Sequence, residues 1–490
     1  MSDGYQFLAM DLGAESGRGE LVTLEGGKVR MEEVHRFANR PVRLGKTLHW
    51  DFPFLFAEVL ASLRACAQRG VTPAAIGVDT WGVDFGLLAA DGSLLGNPVH
   101  YRDSRTERIH EYSNRFLPRE EIYALTAYEP WAISSLFQLL SMQRDGSPLL
   151  ASAATFLNMP DLFGYFLTGR KVSDRSIANT SNLMGIDGQW CKRVMDAFRL
   201  PAGMFAPLVE PGTVLGPLSD TVQRETGLGV VPVVTTCGHD TSAAVAAVPA
   251  EGDHWAYISC GTWSILGCLT PAPISDKKCW DLGFTNEYTL GGWYLGANIS
   301  GLWLVQQLRK KWDTPADPWD YNRMTAEAAT EGGKGLGLVN VADASLLAPL
   351  DMEDALLTLV KGGARPAGRG QLVRIVLESL ALEYRRRLDG MSELVGWKPK
   401  AVFLVGGGIA NKLLCQLTAD ACGCPVSAGA DQCTALGNAL IQATALGILK
   451  GPDDIRAVMR ASTQTTVYEP REQDRWSQKR AQYARVTGGA

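Results

Sequence analysis

The sequence predicts an α/β fold built from two related domains. Three observations lead there. The chain opens on three strand-like segments joined by short turns, and only then reaches a helix and another buried strand. That order departs from the strand–helix alternation of a dinucleotide-binding fold. A strand–glycine–hydroxyl turn–strand passage near residue 11 returns near residue 261, which reads as an internal duplication. The length of 490 residues accommodates two to four domains of about 150 residues each.

Each element has a local cause. Phe7-Leu8-Ala9-Met10 is a short apolar run ending at Asp11-Leu12-Gly13. Residues 19–24 alternate into Glu25-Gly26-Gly27-Lys28, a turn signal. Residues 29–37 complete the meander. A helix is expected over 53–69, because Pro53 suits a first turn, where a missing N–H costs nothing. Phe54, Phe56, Val59, Leu60 and Leu63 supply its apolar face. Residues 75–79 are a further buried strand. In the second half, strands are expected over 230–236, 255–259 and 265–269, with a small-residue helix over 240–248. An amphipathic helix follows over 372–388, with Leu372, Ile375, Val376 and Leu380 on one face. A strand over 401–405 leads into Gly406-Gly407-Gly408, then helices over 412–421 and 434–445, the latter of small residues suited to close packing. The expected domains are 1–245, 246–460 and a polar tail, 461–490, packing on the fold.

Composition excludes several classes. Lys and Arg total 47 against 52 Asp and Glu, a net charge of −5, so no basic nucleic-acid footprint exists at whole-chain level. No apolar run reaches the length of a membrane span. Asp11 interrupts the first apolar run, so no signal peptide is expected. The ten cysteines are scattered without a CxxC pair, and the six histidines lack metal spacing. Reduced thiols and a cytoplasmic location are the expectation. Neither nucleic acid, membrane nor an obligate protein partner is expected.

The candidate chemistry lies in short stretches. No P-loop is present: Gly45-Lys46-Thr47 tempts, but Arg40 stands where the first glycine belongs. Asp11-Leu12-Gly13-Ala14-Glu15-Ser16-Gly17-Arg18 places an acid at a strand end, able to hold Mg²⁺, before small residues whose amides can approach phosphate. Arg18 can balance phosphate charge. An ordinary hairpin turn explains the same stretch equally well. Cys260-Gly261-Thr262-Trp263-Ser264 suits a second phosphate turn. Gly406-Gly407-Gly408 with Asn411 permits close approach of a nucleotide. Their order, phosphate turn, second phosphate turn, adenosine loop, is that of the actin-like ATPase fold. Gly238-His239-Asp240 puts an acid where a strand gives way to a helix. Such an Asp is either an N-cap or a base able to take a proton from a sugar hydroxyl. Residues 79–85 (DTWGVDF) and 101–106 (YRDSRT) combine acids, aromatics and donors in the manner of a sugar pocket.

On these residues the chain resembles the FGGY carbohydrate kinases. The carriers are Asp11 to Ala14 with Ser16-Gly17-Arg18, DTWGVDF, YRDSRT, His239-Asp240-Thr241, Gly261 to Ser264, Asn298 to Leu304 with Gln306, and Val405 to Gly408 with Asn411. They run from residue 11 to about 440, nearly the whole chain. The resemblance implies two ribonuclease-H-like (actin-like ATPase) domains with an interdomain ATP and sugar cleft whose closure excludes water. DTWGVDF and YRDSRT point to L-rhamnulose as the ketose. Carried over, Asp240 is the catalytic base, and Asp11 lies near Mg²⁺. Ala14, Glu15, Ser16, Gly17, Arg18, Gly261, Thr262, Gln306 and Gly407 line ATP. Gly82, His239, Asp240 and Asn298 line the sugar. Glu15 departs from the Ser familiar there, which puts its own contact in doubt. The alternatives are a family member acting on another ketose such as L-fuculose, and a non-enzymatic actin-fold sugar sensor. A sensor would carry a DNA-binding helix, and no basic recognition helix precedes Asp11.

Overall fold

The computed structural model of the chain describes residues 4–330 and 333–488. Two compact units emerge. One comprises residues 1–249, 270–295 and 432–462, the other 250–269, 296–431 and 463–490. The segments of the two units interleave along the chain. The reason is burial, since 270–295 and 432–462 pack their apolar side chains within the first unit.

The first unit is built on a six-stranded sheet ordered Val214–Pro217, Pro232–Val234, Ala75–Thr80, Tyr5–Leu12, Ser16–Glu25 and Lys28–Ala38. The opening three strands are an antiparallel meander, and Ala75–Thr80 joins Tyr5–Leu12 in parallel. The helix Phe52–Gln68 covers one face. Asp51 caps it by accepting from the Phe54 amide at 3.3 Å. Its buried stripe is Phe52, Leu55, Val59, Leu60 and Leu63. Phe54, expected on that stripe, is 40% exposed: the stripe follows positions 52, 55 and 59, which leaves 54 on the outer side.

The small-residue helix Cys433–Ala445 lies against this sheet and against the helix Asp240–Ala246. A Cβ at Gly437 would sit 2.0 Å from the Ala243 carbonyl oxygen, so only glycine permits that approach. Gln442 Nε2 donates to the Leu8 carbonyl at 3.0 Å, and Asn438 Nδ2 to Asp79 Oδ2 at 2.5 Å. The helix is thus hydrogen-bonded to both central strands, at Leu8 and at Asp79.

The second unit repeats the strand order. Trp255–Cys260 pairs antiparallel with Trp263–Thr270 and parallel with Ala401–Val405, which pairs in parallel with Val426–Ala428. Gly292–Ser300 flanks Trp263–Thr270, and Thr466–Tyr468 closes the far edge. Both sheets follow the 3-2-1-4-5 order of a ribonuclease-H-like domain, so the duplication expected from the two glycine–hydroxyl turns is present as topology. The long helix Arg369–Val395 buries Leu372, Ile375, Val376 and Leu380 as its periodicity predicts. The polar C-terminus forms the helix Gln473–Val486, anchored by Trp476 and Tyr483 at 1% and 2% exposure. All ten cysteines are free thiols. Among the described residues no helix is long and apolar enough to cross a membrane.

Candidate active site

Five titratable groups gather in the first unit around the start of the helix Asp240–Ala246. Asp11 and Asp79 stand opposite one another in the parallel ladder. Thr80, next along, donates its amide to the Gly238 carbonyl at 2.9 Å, which brings His239 and Asp240 to the strand ends. Asp240 is the first helical residue, with His239 as N-cap. Its Oδ1 accepts from the Thr241 amide at 2.5 Å and faces His239 Nε2 at 3.5 Å. Among the described residues its Oδ2 has no hydrogen-bond partner, and the side chain is 33% exposed. One oxygen is clamped and the other is free.

His239 is held from its other side. Its Nδ1 lies 2.7 Å from Glu287 Oε2, and Glu287 in turn accepts from the Tyr294 hydroxyl at 2.7 Å. Burial pulls the imidazole pKa down, but Glu287 raises it and the net shift is upward. Burial raises the Asp240 carboxyl, and the adjacent imidazole opposes that rise; the net is upward. Burial and the neighbouring Asp11 charge push Asp79 well above the usual carboxylate range, although Asn438 donates to it. Asp79 Oδ1 is buried with no partner.

The turn after Asp11 is a tight hairpin. The Gly13 amide donates to the Ser16 carbonyl at 2.9 Å. Asn39 secures it, its amide donating to the Glu15 carbonyl at 3.0 Å and its Nδ2 to the Gly13 carbonyl at 2.9 Å. Among the described residues the amides of Ala14 and Glu15 have no protein acceptor, so they are free for an anion. The Glu15 and Ser16 side chains are exposed. Gly17 and Arg18 face other demands. A Cβ at Gly17 would lie 2.2 Å from the Phe37 ring. Arg18 donates through Nη2 and Nε to Asp11 Oδ2 at 2.9 and 3.1 Å.

Gly82 borders His239: a Cβ there would meet Nε2 and the Thr180 side chain at 3.3 Å. The residues around it are scaffold. Asp84, fully buried, accepts from Trp50 Nε1 at 2.6 Å, Gln138 Nε2 at 2.8 Å and Trp81 Nε1 at 3.0 Å. Trp50 stacks on His100 at 4.1 Å, and Trp81 is itself buried. Val83 has φ of +71°, a strained conformation for a β-branched residue. Thr180 holds its amide at 3.0 Å, and Ser135 holds its carbonyl at 2.6 Å. Asp103 accepts from the amides of Leu48 at 2.7 Å and Arg105 at 3.0 Å.

In the second unit a cavity of about 350 Å³ is lined by Gly261, Thr262, Gln306, Gly407, Gly408 and Asn411, with Tyr321 and Asn322 among its other walls. The turn at Gly261–Thr262 is braced by the helix Trp303–Trp312. Leu302 and Trp303 donate their amides to the carbonyls of Gly261 and Thr262 at 2.9 and 3.1 Å. Gln306 Nε2 reaches Thr262 Oγ1 at 3.3 Å. A Cβ at Gly301 would lie 2.7 Å from three backbone atoms of this turn. Gly407 faces open space, whereas Gly408 packs on Cys260. Asn411 caps the helix Lys412–Cys422, accepting from the Leu414 amide at 2.9 Å. Asn298 is exposed on the strand Gly292–Ser300. Glu287 and Tyr294, isolated polar residues within strands, and Asn39 and Tyr321, outside every motif, escape motif reading because nothing local marks them.

Residues 6–247 match the family model described as FGGY family of carbohydrate kinases, N-terminal domain, and residues 256–446 match its C-terminal domain. A curated relative from Bacteroides thetaiotaomicron, named rhamnulokinase, is 38% identical over 474 residues, covering 96% of this chain and 97% of its own. The rhamnulokinase of Enterococcus faecalis is 34% identical over 470 residues, covering 94% of each. Among solved structures, ligand-bound xylulose kinase from Lactobacillus acidophilus superposes with a TM-score of 0.84 at 17% identity, over 99% of this chain and 97% of that one. Plasmodium falciparum glycerol kinase with ADP gives 0.81 at 15% identity, over 99% and 98%. At such identities the structural likenesses establish the fold.

Proposed function

The chain belongs to the FGGY family of carbohydrate kinases, and from this premise we propose that it transfers the γ-phosphoryl group of ATP to O1 of L-rhamnulose. The products are ADP and L-rhamnulose 1-phosphate. The chemistry is that of an ATP-dependent sugar kinase, and the acceptor is supported by relatives named rhamnulokinase at 38% and 34% identity over nearly the whole chain.

The observation that carries the mechanism is Asp240, with one oxygen fastened to its own helix start and the other free. Ionised at a helix N-terminus, that free oxygen accepts the proton of the primary hydroxyl as the hydroxyl oxygen attacks phosphorus. Glu287 favours the charged form of His239, which opposes the burial-driven rise of the Asp240 carboxyl and offers an N–H to a sugar oxygen. Gly82 leaves room beside it for the ring. The free amides of Ala14 and Glu15, and the braced turn at Gly261–Thr262, suit phosphate oxygens. The cavity beside Gly407 suits the nucleoside, with Gln306 and Asn411 as its polar contacts. Asn298 is assigned to the sugar by family motif alone.

The family also implies Mg²⁺ with the nucleotide. The residues fit a hard cation, because Asp11 and Asp79 face each other in register and Asp79 Oδ1 is buried without a partner. Asp11 would hold the ion with Asp79 behind it, and the bound ion would neutralise phosphate charge. Arg18, already paired to Asp11, sets the direction of that carboxylate.

ADP release by purified protein with MgATP and a panel of L-rhamnulose, L-fuculose and L-xylulose tests the reading. Release fastest with L-rhamnulose is expected. Faster release with another ketose would reassign the substrate, and no sugar-dependent release would favour a sensor.

A further inference from the structure

Asp174 lies outside every stretch that sequence motifs bring to the site. It is 1% exposed and caps the five-residue helix Arg175–Asn179. Its Oδ1 accepts from the Ser176 amide at 3.0 Å, from the Ser176 hydroxyl, and from the Gly238 amide at 3.1 Å. The Gly238 carbonyl meanwhile accepts from the Thr80 amide at 2.9 Å. The residue preceding His239-Asp240 is thus pinned at both ends, once by Asp174 and once by the strand that carries Asp79. Ser176 Oγ also accepts from the His239 amide at 3.5 Å. A Cβ at Gly238 would lie 2.8 Å from Pro160 and 3.2 Å from Ile177, so nothing else fits between the two segments.

Asp174 is itself tied down. Its amide donates at 3.0 Å to Oδ1 of Asp161, which is 5% exposed on the helix Met159–Thr168. A five-residue helix needs no more than a Ser or Asn cap. Two buried carboxyl groups in succession, Asp161 holding the Asp174 amide and Asp174 capping the helix, are an expensive way to cap it, and the peptide they fix, at Gly238, lies two residues before the base.

We propose that Asp174, held by Asp161, is a positioning residue for phosphoryl transfer: it fixes the Gly238 peptide and so the direction in which Asp240 presents its free oxygen. The inference rests on Asp240 as the base. A shift of about 1 Å in such a group costs about 10²-fold in rate, while the nucleotide contacts, on other segments, are untouched.

Steady-state ADP release at saturating ketose separates the outcomes, with thermal melts to establish folding. Asp174→Ala is expected to lower kcat about 10²-fold with KM for ATP unchanged. Asp174→Asn retains an oxygen for the same two amides and is expected to recover to within about 5-fold of wild type. Ser176→Ala, a milder change that carries the test should Asp174→Ala not fold, is expected to lower kcat about 3-fold. Folded Asp174→Ala or Ser176→Ala with wild-type kcat overturns the proposal, as does Asp174→Asn slowed as severely as Asp174→Ala. Asp240→Asn, run in parallel, separates the two readings: wild-type turnover there removes the base, whereas an inactive Asp240→Asn beside a fully active Asp174→Ala removes only the positioning role.

Discussion

Replacing Glu287 by Gln tests the charge arrangement around Asp240 while leaving its packing in place. Glu287 is 3% exposed, receives the Tyr294 hydroxyl at 2.7 Å and sits 2.7 Å from His239 Nδ1. Glutamine keeps an oxygen for Tyr294 but loses the negative charge. Burial lowers the His239 pKa and Glu287 raises it beyond its ordinary value, so in the variant burial prevails and the imidazole becomes neutral. A charge-assisted contact contributes about 1.5–3 kcal/mol, which for a unit of this size is about 3–6 °C in Tm. The pH window follows from the raised folded-state pKa. That stabilisation is fully present below the ordinary imidazole value of about 6.5 and is lost as pH rises through the folded value. The Tm difference between wild type and Glu287→Gln is therefore expected to be widest near pH 5.5 and to close toward pH 9. Activity changes through Asp240, whose Oδ1 lies 3.5 Å from His239 Nε2. Without the imidazolium its carboxyl rises further, and the acid limb of kcat moves to higher pH. Melts across pH and kcat–pH profiles measure both. An unmoved acid limb together with a Tm difference independent of pH would refute the reasoning.

Asp240→Asn is expected to lower kcat by at least about 10³-fold while calorimetry still registers ketose binding; near-wild-type turnover would remove Asp240 from the base role. Gly408→Ala brings a Cβ to 2.2 Å from Cys260 Sγ, so the loop must shift. KM for ATP should rise about 10-fold with KM for the ketose unchanged, and an unchanged KM for ATP would take the loop out of the nucleotide site. Gly17→Ala puts a Cβ 2.2 Å from the Phe37 ring and should cost about 1–3 kcal/mol of stability, read as a lower Tm with KM for ATP preserved. A preserved Tm with a raised KM would instead make Gly17 a nucleotide contact.

The division between what motifs reveal and what they hide has a physical basis. Strands and helices were legible because periodicity is local. The meander, the small-residue helix Cys433–Ala445 and the long helix Arg369–Val395 are all written in spacing. The interleaving of the units was not, because nothing within residues 270–295 records which surface buries them. The helix Gln473–Val486 was missed for its polarity, although Trp476 and Tyr483 at i and i+7 carried a faint signal. At the candidate site, motifs single out Asp240, His239 and Gly82, but their electrostatics depend on Glu287 and Tyr294, which reach them only through the fold.

Glycine shows the same division most sharply. Gly407 and Gly408 are adjacent in one motif and both border the cavity, yet a side chain at Gly407 would meet open space and one at Gly408 would meet Cys260. Gly17 follows the turn proposed for phosphate, yet the Phe37 ring alone accounts for the absence of a side chain there. Arg18 and Asp11 face each other across a hairpin ladder, so the arginine that motif reading sends to phosphate already has a carboxylate. A motif therefore nominates a turn of chain and no more. Which residue of the turn meets the ligand and which meets the protein is decided by side chains far away in sequence. Asp174 is the extreme case, because it has no motif of its own and acts only through the peptide it holds.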